Sequence, residues 1–355
     1  MISKQIGIEY LRFFLSLAVV FYHYFYYGPI EGHVSSYFEA WDGLVYGRFA
    51  VSAFFIISGY VIYFSAQGRS WRSFAASRVS RLYPALLICA LITALAELPY
   101  QGENLFRLVR SLAAAWAFVP LYFSKGQIDP SYWSIVYELR FYVIVAILLC
   151  LSLFNRLVLL LTLAAVVGAG LQMLGMFPRL TGYILFPYVS FFAMGAILAR
   201  VRNEGLGVVA VLLMGLHLLI AAYGTHISYE RVDMFDGERS SFGVSLAVVA
   251  VCLALVLLVM RVTIHGRLAE IGQTLGAISY PLYLVHQLAG YRLLEALGPT
   301  LGAVGAGAVT VVAAILVAYA VHIGVERPLA GPLRTFLAGK PKPPGGKLEA
   351  APVPG

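Results

Sequence analysis

Charged residues are scarce in this chain. Of its 355 residues, only 12% are Asp, Glu, Lys or Arg, whereas an ordinary soluble domain carries about 25%. Hydrophobic residues make up 61% of the chain, and the mean hydropathy is +0.83. This composition excludes a soluble globular fold and indicates an integral membrane protein. Because each spanning helix uses about 20 apolar residues, the length allows roughly ten spans and no separate soluble domain.

Cysteine and internal repeats are lacking as well. The three cysteines, Cys89, Cys150 and Cys252, each lie inside an apolar run, where a thiol behaves as a small hydrophobic group. Neither a disulfide framework nor a metal-ligand spacing is visible, so we expect no metal and no permanently bound cofactor. The absence of a repeat counts against the transporter folds that are built from inverted repeats.

Basic residues outnumber acidic ones, 25 to 17, for a net charge of +8. They lie at the ends of apolar runs and form no basic surface interleaved with aromatic residues, which argues against nucleic acid as a partner. The runs predict an all-α, polytopic membrane protein with about ten helices embedded in the lipid bilayer. The runs lie at about 7–27, 45–65, 81–98, 134–154, 156–175, 183–200, 206–223, 242–262, 275–297 and 303–325.

The distribution of Lys and Arg predicts the orientation, because short cytoplasmic loops accumulate positive residues. Ten crossings with the amino end inside also place the carboxyl end inside. The segment 105–123 is apolar but carries Arg107 and Arg110 and contains Pro120. If it crossed, four later arginines would move outside, so it is predicted to be re-entrant or interfacial. These four are Arg200, Arg202, Arg261 and Arg267.

The two ends of the chain carry separate expectations. The first apolar run follows Lys4, but no small-residue cleavage site follows it, so it is interpreted as a retained first helix. Residues 1–335 are predicted to form a single transmembrane domain. Residues 336–355 are rich in Pro, Gly, Lys and Ala and are expected to be a disordered cytoplasmic tail.

The first apolar run carries four polar residues on one face. Arg12 and His23 are eleven residues apart, a spacing that returns almost to the same azimuth of a helix with a rise of about 16 Å. Glu9 and Ser16 fall on the same stripe. Ionisable side chains are costly in lipid, so this face is expected to lie against protein or a water-filled cavity.

Each of these residues also has a simpler interpretation. Arg12 can extend its guanidinium to the inner interface, and His23 can sit among the tyrosines of an outer aromatic belt. The whole set on one face favours function, because a neutral imidazole inside the membrane can act as a base near neutral pH.

Five blocks, in order, carry a resemblance to a known family. Arg12 and His23, with ten residues between them, resemble the Arg-x10-His signature of the membrane acyltransferase family 3, which includes bacterial O-antigen, exopolysaccharide and macrolide acyltransferases. Further blocks resemble the family's motifs at 54–62 (FFIISGYVI), 74–84 (FAASRVSRLYP), 133–142 (WSIVYELRFY) and 275–286 (LGAISYPLYLVH), with ERP at 326–328. The set covers about residues 8–330. It departs from the family at Pro281, where serine is more usual and where proline can kink the ninth helix. We expect no carboxyl-terminal hydrolase-like domain of the kind that some members carry.

The resemblance implies an activity. It implies transfer of an acyl group, with acetyl as the expectation and succinyl or a longer chain as alternatives, from cytoplasmic acyl-CoA to a hydroxyl of a cell-surface or exported carbohydrate. The implied location is a bacterial inner membrane. His23 would be the general base, with transfer either direct or through a covalent acyl-histidine. Arg12 would bind the acyl donor or organise a polar passage. The acceptor stays open between exopolysaccharide, lipopolysaccharide, peptidoglycan and a secreted glycoside.

The blocks also supply the other candidate site residues. Arg78 and Arg81 share a helix face and would bind coenzyme A phosphates, or else serve as positive-inside anchors. Glu138, at the outer end of the fourth span, would orient His23 or hold an acceptor hydroxyl, or else be a solvated interfacial residue. His286, in the middle of the ninth span, would be a second polar member of the site or a histidine hydrogen-bonded between helices. The remaining candidates are Ser58, Trp133, Tyr142 and Tyr283.

The other histidines have weaker patterns. His33, His226 and His265 are assigned to loops, and His217 and His322 to apolar helices without acidic partners at helical spacing. The competing function is a transporter that moves a lipid-linked saccharide or small solute without chemistry, because membrane-embedded Arg, Glu and His serve transport equally well. A purely structural membrane subunit would leave the Arg12-to-His23 stripe unexplained.

Overall fold

The computed structural model of the protein describes residues 5–35, 38–100, 105–117, 127–176, 185–236 and 241–338. Within these residues all regular structure is helical and no strand occurs, as the apolar runs predict. The helices are α1 (Ile6–Tyr22), α2 (Ala50–Ala66), α3 (Trp71–Glu97), α4 (Leu105–Trp116), α5 (Trp133–Cys150), α6 (Leu157–Met173), α7 (Val189–Glu204), α8 (Val208–Asp236), α9 (Phe242–Met260), α10 (Gly266–Val285), α11 (Gln287–Val321) and α12 (Arg327–Ala338).

Eight helices of the described chain are long and apolar enough to cross a membrane. Helices α7 and α10 are not among them, and α7 has only 16 residues. The protein is therefore a multi-pass membrane protein, while the count of ten crossings stays a prediction.

The segment expected to be re-entrant or interfacial forms the short helix α4. Its 12 residues give a length of about 18 Å, which is too short for a hydrocarbon layer of about 30 Å. Its buried residues, Leu108, Ser111 and Ala115, share one face. Trp116, the last residue of α4, donates a hydrogen bond from Nε1 to the carbonyl of Leu87 in α3, 3.1 Å away. Positions 118–123 lie outside the described residues.

Small residues let two central helices approach closely. Helices α2 and α7 pack together at Gly59 and Gly195. A Cβ added to Gly59 would collide with the carbonyl of Phe192, and one added to Gly195 with the carbonyl of Ile56. Such contacts are the usual way in which membrane helices gain packing where lipid offers no hydrophobic driving force.

The predicted ninth span, 275–297, is wrong as a single helix. The chain ends α10 at Val285 and starts α11 at Gln287, so that His286 lies at the junction and not in the middle of a span. Pro281, four residues before Val285, has no N–H to continue the hydrogen-bond ladder and weakens the end of α10. The carbonyl of His286 accepts a hydrogen bond from the Tyr24 hydroxyl at 2.7 Å. Gly290 makes room for that tyrosine ring.

The last helices are joined by two irregular points. Gly302 interrupts α11 with a φ of 65°, between the predicted ninth and tenth spans. A π-helical turn at His322–Glu326 then leads into α12. Helix α12 continues to Ala338, three residues into the predicted tail, and residues 339–355 lie outside the described residues.

Candidate active site

Three adjoining cavities follow the axis of α1 through the bundle. A vestibule of about 450 Å³ lies at the amino end of α1, a central cavity of about 100 Å³ follows, and a distal cavity of about 410 Å³ surrounds His23. Five residues line both the vestibule and the central cavity: Glu9, Arg12, Arg78, Arg81 and Tyr280. Val51 and Tyr283 line both the central and the distal cavity. Three residues of the polar face of α1, Glu9, Arg12 and His23, therefore lie along these cavities, and the fourth, Ser16, is buried and donates to the carbonyl of Ser279 at 2.9 Å.

The vestibule is strongly basic. It is lined by five arginines and two glutamates, which leaves three positive charges if His322 is neutral. The arginines are Arg12, Arg78, Arg81, Arg327 and Arg334. Arg327 and Arg334 lie on α12. Arg327 belongs to the ERP element, whereas Arg334 lies outside the motif blocks. The sequence analysis gave neither residue a role. A cluster of guanidinium groups is suited to phosphate groups.

Two of the predicted arginines are partly held by the protein. Arg12 forms an ion pair with Glu9 at 3.3 Å. Arg78 donates from Nη2 to Ser77 Oγ at 2.9 Å, and its guanidinium lies over the rings of Phe74 and Tyr142. The Nε of Arg78 is buried and has no hydrogen-bond partner among the described residues. Arg78 is therefore partly fixed within the wall that the vestibule and the central cavity share.

Glu138 lines the central cavity, and its observed partners are not the predicted one. Its carboxylate accepts hydrogen bonds from Ser58 Oγ at 3.0 Å and from the Tyr142 hydroxyl. These contacts unite three of the candidate residues. His23 lines the distal cavity instead, and no contact between Glu138 and His23 is found among the described residues, so an orienting role of Glu138 stays a prediction. Trp133 lines the distal cavity, and Glu138 lies five residues, more than one helical turn, farther along α5, where it lines the central cavity.

Tyr283 lies between the central and distal cavities. Its hydroxyl donates to the carbonyl of Ser131 at 2.9 Å, and its oxygen accepts from Ser134 Oγ at 2.7 Å. These bonds hold the phenol ring across the boundary that Val51 also lines. Tyr283 thereby forms part of the partition between the two cavities.

His23 begins a π-helical turn, His23–Tyr27, at the far end of α1. Irregular turns of this kind often occur at functional positions within helices. The ring of His23 lies against those of Tyr22 and Tyr27, and Trp133, another candidate, lines the same cavity and packs on Tyr188 with ring centroids 5.2 Å apart.

The His23 ring is hydrogen-bonded to the ring of His286. Nε2 of His286 lies 2.9 Å from Nδ1 of His23, and Nδ1 of His286 lies 2.8 Å from the carbonyl oxygen of Tyr283. A carbonyl oxygen can only accept, so Nδ1 of His286 carries a proton, and its Nε2 accepts when the ring is neutral. Nδ1 of His23 must then donate. This assignment leaves Nε2 of His23 unprotonated, which is the state that a general base requires.

A buried carboxylate fixes the segment that carries His286. Asp129 accepts hydrogen bonds from the Ser131 N–H at 2.9 Å and the Ser131 hydroxyl at 2.6 Å, and from the Leu288 N–H at 3.1 Å. It thus ties the start of α5 to the start of α11, two residues after His286. Burial raises the pKa of the Asp129 carboxyl, just before the span, to about 6. The sequence analysis did not single out Asp129.

The other histidines correct two further expectations, and a third histidine has polar partners that the sequence analysis did not name. His322 does have an acidic partner at helical spacing, since its Nδ1 lies 3.0 Å from Glu326. His226 lies within α8 and not in a loop. His217 is buried between Thr162 and Ser190, at 3.0 and 3.1 Å. Within the described part of the chain, no three His, Cys, Asp or Glu side chains group closely enough to hold a metal ion.

Comparison with known proteins identifies the family. The family model Acyl_transf_3, described as an acyltransferase domain, matches residues 5–322. This segment contains every candidate site residue and most of the vestibule. No significant match to a curated protein or to a solved structure was found. The family match covers most of the chain, and the protein therefore belongs to the membrane acyltransferase family 3.

Proposed function

We propose that this acyltransferase moves an acyl group, acetyl in the first instance, from acyl-CoA to a hydroxyl of a carbohydrate, with His23 as the general base. One observation carries the proposal: three adjoining cavities lie in a row from a vestibule lined by five arginines to the ring of His23, with only Val51 and Tyr283 shared between the last two. Such a path solves a topological problem, because acyl-CoA is cytoplasmic whereas surface carbohydrates are completed on the other side of the membrane.

The acyl donor enters through the vestibule in this proposal. The negative phosphates of coenzyme A would bind Arg78 and Arg81, helped by Arg327 and Arg334, through charge-assisted hydrogen bonds. The thin pantetheine arm would then extend along α1 past Arg12. Arg12 and His23 are separated by about 16 Å along the helix, and this is the distance over which the arm carries the thioester.

The chemistry takes place at Nε2 of His23. This nitrogen removes the proton from the acceptor hydroxyl while the hydroxyl oxygen attacks the thioester carbonyl. The bond between the carbonyl carbon and sulfur breaks, and the proton passes from His23 to the departing thiolate, so that free coenzyme A and an ester are the products. His286 and the Tyr283 carbonyl support this step by holding the proton on Nδ1 of His23.

The proposed setting is a bacterial inner membrane with the vestibule on the cytoplasmic side. The positive-inside distribution of Lys and Arg supports this side. The proposed acceptor is an exported glycan such as an exopolysaccharide or a lipopolysaccharide, which rests on the resemblance of the motif blocks.

Cavities that approach both ends of the bundle also fit a transporter without chemistry, so the test must separate the two functions. Purified protein in nanodiscs would be supplied with radiolabelled acetyl-CoA and a glycan acceptor. Wild type should form labelled ester, and His23→Gln should lose about two to four orders of magnitude in rate. Acetyl-CoA binding should persist in the variant.

His265→Gln is the matched control, because His265 is exposed and lines none of the three cavities. Its transfer rate should equal that of wild type. Wild-type rates in His23→Gln would remove His23 from the mechanism. Vesicle uptake of a saccharide by a wild-type protein that forms no ester would favour the transporter.

A further inference from the structure

The arginines of the vestibule divide into two groups by position. Arg78 and Arg81 on α3 line both the vestibule and the central cavity, as Arg12 does. Arg327 and Arg334 on α12 line the vestibule and neither of the other two cavities. The first group therefore lies where the vestibule meets the central cavity, and the α12 pair lies farther from that meeting point.

Helix α12 turns one face toward the vestibule. Arg327 and Arg334 are seven residues apart, which returns nearly to the same azimuth with a rise of about 10 Å. Between them, Ala330 and Gly331 line the vestibule as well. A Cβ built on Gly331 would meet no atom within 4 Å. The two arginines are thus separated by small residues, which leave open space for a ligand.

The two glutamates of the vestibule are engaged by other partners. Glu9 pairs with Arg12 at 3.3 Å, and the carboxylate of Glu326 lies 3.0 Å from Nδ1 of His322. Neither Arg327 nor Arg334 forms an ion pair with a carboxylate of the described residues. Both side chains are exposed, and a guanidinium offers five donors in a planar fork that matches phosphate oxygens. The α12 pair can therefore bind an anion without first breaking an ion pair.

Coenzyme A carries its negative charges in two separate places. The diphosphate joins the pantetheine arm to the adenosine, and the 3′-phosphate sits on the ribose, farther from the thiol. An arm that extends into the central cavity leaves the diphosphate at the entrance of that cavity, beside Arg78 and Arg81. The 3′-phosphate then lies farther out, toward Arg327 and Arg334. The order of the phosphates along the donor thus matches the order of the two arginine groups.

From this match we infer that Arg327 and Arg334 bind the 3′-phosphate of the donor nucleotide, whereas Arg78 and Arg81 bind its diphosphate. The inference rests on the proposed function and adds to it what selects the donor. Helix α12 begins beyond residue 322, where the family match ends, so its role is argued from position and charge alone. Arg327 and Arg334 then favour coenzyme A thioesters over thioesters that lack the 3′-phosphate, such as those carried on a protein-bound phosphopantetheine.

The test measures the Kd of two donors that differ by this one phosphate, acetyl-CoA and acetyl-3′-dephospho-CoA. The full-length protein is held in phosphatidylcholine nanodiscs, whose lipids carry no net charge to compete for the arginines. Wild type should bind acetyl-CoA at least about tenfold more tightly, because a phosphomonoester makes charge-assisted hydrogen bonds to both guanidiniums. The double variant Arg327→Gln with Arg334→Gln should lose this preference while its Kd for acetyl-3′-dephospho-CoA stays within about twofold of wild type.

A second double variant supplies the contrast. Arg78→Gln with Arg81→Gln should weaken the binding of both donors by a similar factor and so keep the preference for acetyl-CoA. Arg267→Gln is the matched control, because Arg267 is exposed and lines none of the three cavities. It should change neither Kd. Gln is a good helix former, and unchanged circular dichroism would verify that α12 is retained.

Two results would overturn the inference and leave the proposed function standing. One is equal binding of the two donors by wild type. The other is an equal loss for both donors in the Arg327→Gln, Arg334→Gln variant, which would mean that these arginines supply general positive charge and do not recognise the 3′-phosphate.

The binding measurement also separates this inference from the proposed function. A preference for acetyl-CoA that depends on Arg327 and Arg334, in a protein that forms no ester, would support the inference and contradict the proposed acyl transfer. An absence of binding of either donor by wild type would overturn both.

Discussion

The vestibule and the distal cavity lie at opposite ends of the same helix, and they are built for different kinds of recognition. The vestibule is lined by five arginines and two glutamates. Such an excess of positive charge attracts an anion from a distance and can bind it in several similar orientations. The distal cavity has balanced charges, aromatic walls and single polar atoms at fixed places. The comparison shows a cavity with an excess of positive charge at one end of α1 and a charge-balanced, aromatic cavity at the other; in the proposed function the first would bind the acyl donor and the second the acceptor.

The comparison requires the vestibule and the distal cavity to face opposite sides of the membrane. A reporter fusion gives one side or the other, so this prediction has the largest expected effect. Gly68 lies between α2 and α3 at the vestibule end, and α8 runs past Thr225 and Ser228, which line the distal cavity. Reporter fusions after Gly68 and Lys342 should therefore read cytoplasmic, and one at Asp236 external. A cytoplasmic reading at Asp236 would contradict the arrangement.

The next largest effect is expected at the distal end, from the partner of the base. His286→Leu removes the acceptor for the Nδ1 proton of His23 and leaves the wrong tautomer accessible. Misorienting or mis-protonating a catalytic histidine has cost up to about four orders of magnitude in other enzymes, and we expect a loss of at least about 100-fold in kcat. His286→Gln, whose carbonyl can still accept, should recover part of it.

The measurement for His286 is the pH dependence of kcat together with acetyl-CoA binding. A positioning role should change the pH profile in His286→Leu and leave binding of the acyl donor close to wild type. Equal losses in the Leu and Gln variants, with an unshifted profile, would show that His286 serves packing alone.

A smaller effect is expected at the vestibule, where several arginines share the work. The double variant Arg78→Ala with Arg81→Ala removes two charge-assisted contacts, each of about 1.5–3 kcal/mol. We expect the Kd for acetyl-CoA to rise about 10- to 100-fold because Arg327 and Arg334 remain. Raising the salt concentration should weaken wild-type binding more than that of the double variant.

The control for this double variant is Arg200→Ala, since Arg200 is exposed, pairs with Glu204 and lines none of the three cavities. Its acetyl-CoA binding should match wild type. Unchanged binding in the double variant would reduce Arg78 and Arg81 to topology anchors.

The smallest effect is expected from Glu138→Gln, and it separates the sequence-based hypothesis from the structure. The amide oxygen of Gln can still accept from Ser58 and Tyr142, so the contacts persist and only the charge is lost. We expect kcat/KM to change less than tenfold, mainly through the KM for acyl-CoA. A loss in kcat as large as that of His23→Gln would show that Glu138 orients the base after all.

The sequence predicts the architecture well where the signal is local. Apolar runs correctly predict a helical membrane protein. The arginines of the later loops predict that 105–123 does not cross, and the part of this segment that the structure describes is a helix too short to span. The break at His286 was missed because the residues around it are as apolar as a spanning helix. Only Pro281 marks it, and prolines are common inside membrane helices, so a proline alone predicts no boundary.

The sequence indicated many of the residues that line the cavities. It indicated fewer of the contacts between them. The helical spacing within α1 places Arg12 and His23 on one face, and the structure finds cavities along that face. The contact of His23 with His286 joins residues 263 positions apart, and no spacing rule within one helix reports it. The pairing of His322 with Glu326 was readable as an i, i+4 pair and was overlooked.

The partition at Val51 and Tyr283 has a consequence for the cell as well as for the reaction. A protein with cavities reaching inward from both faces would collapse the membrane potential if water and ions could run through it. Val51 adds an apolar surface to the partition, and the Tyr283 hydroxyl is already engaged by Ser131 and Ser134. An ion would have to shed its hydration shell there, at a cost of many kcal/mol. The partition can therefore serve as an electrical insulator.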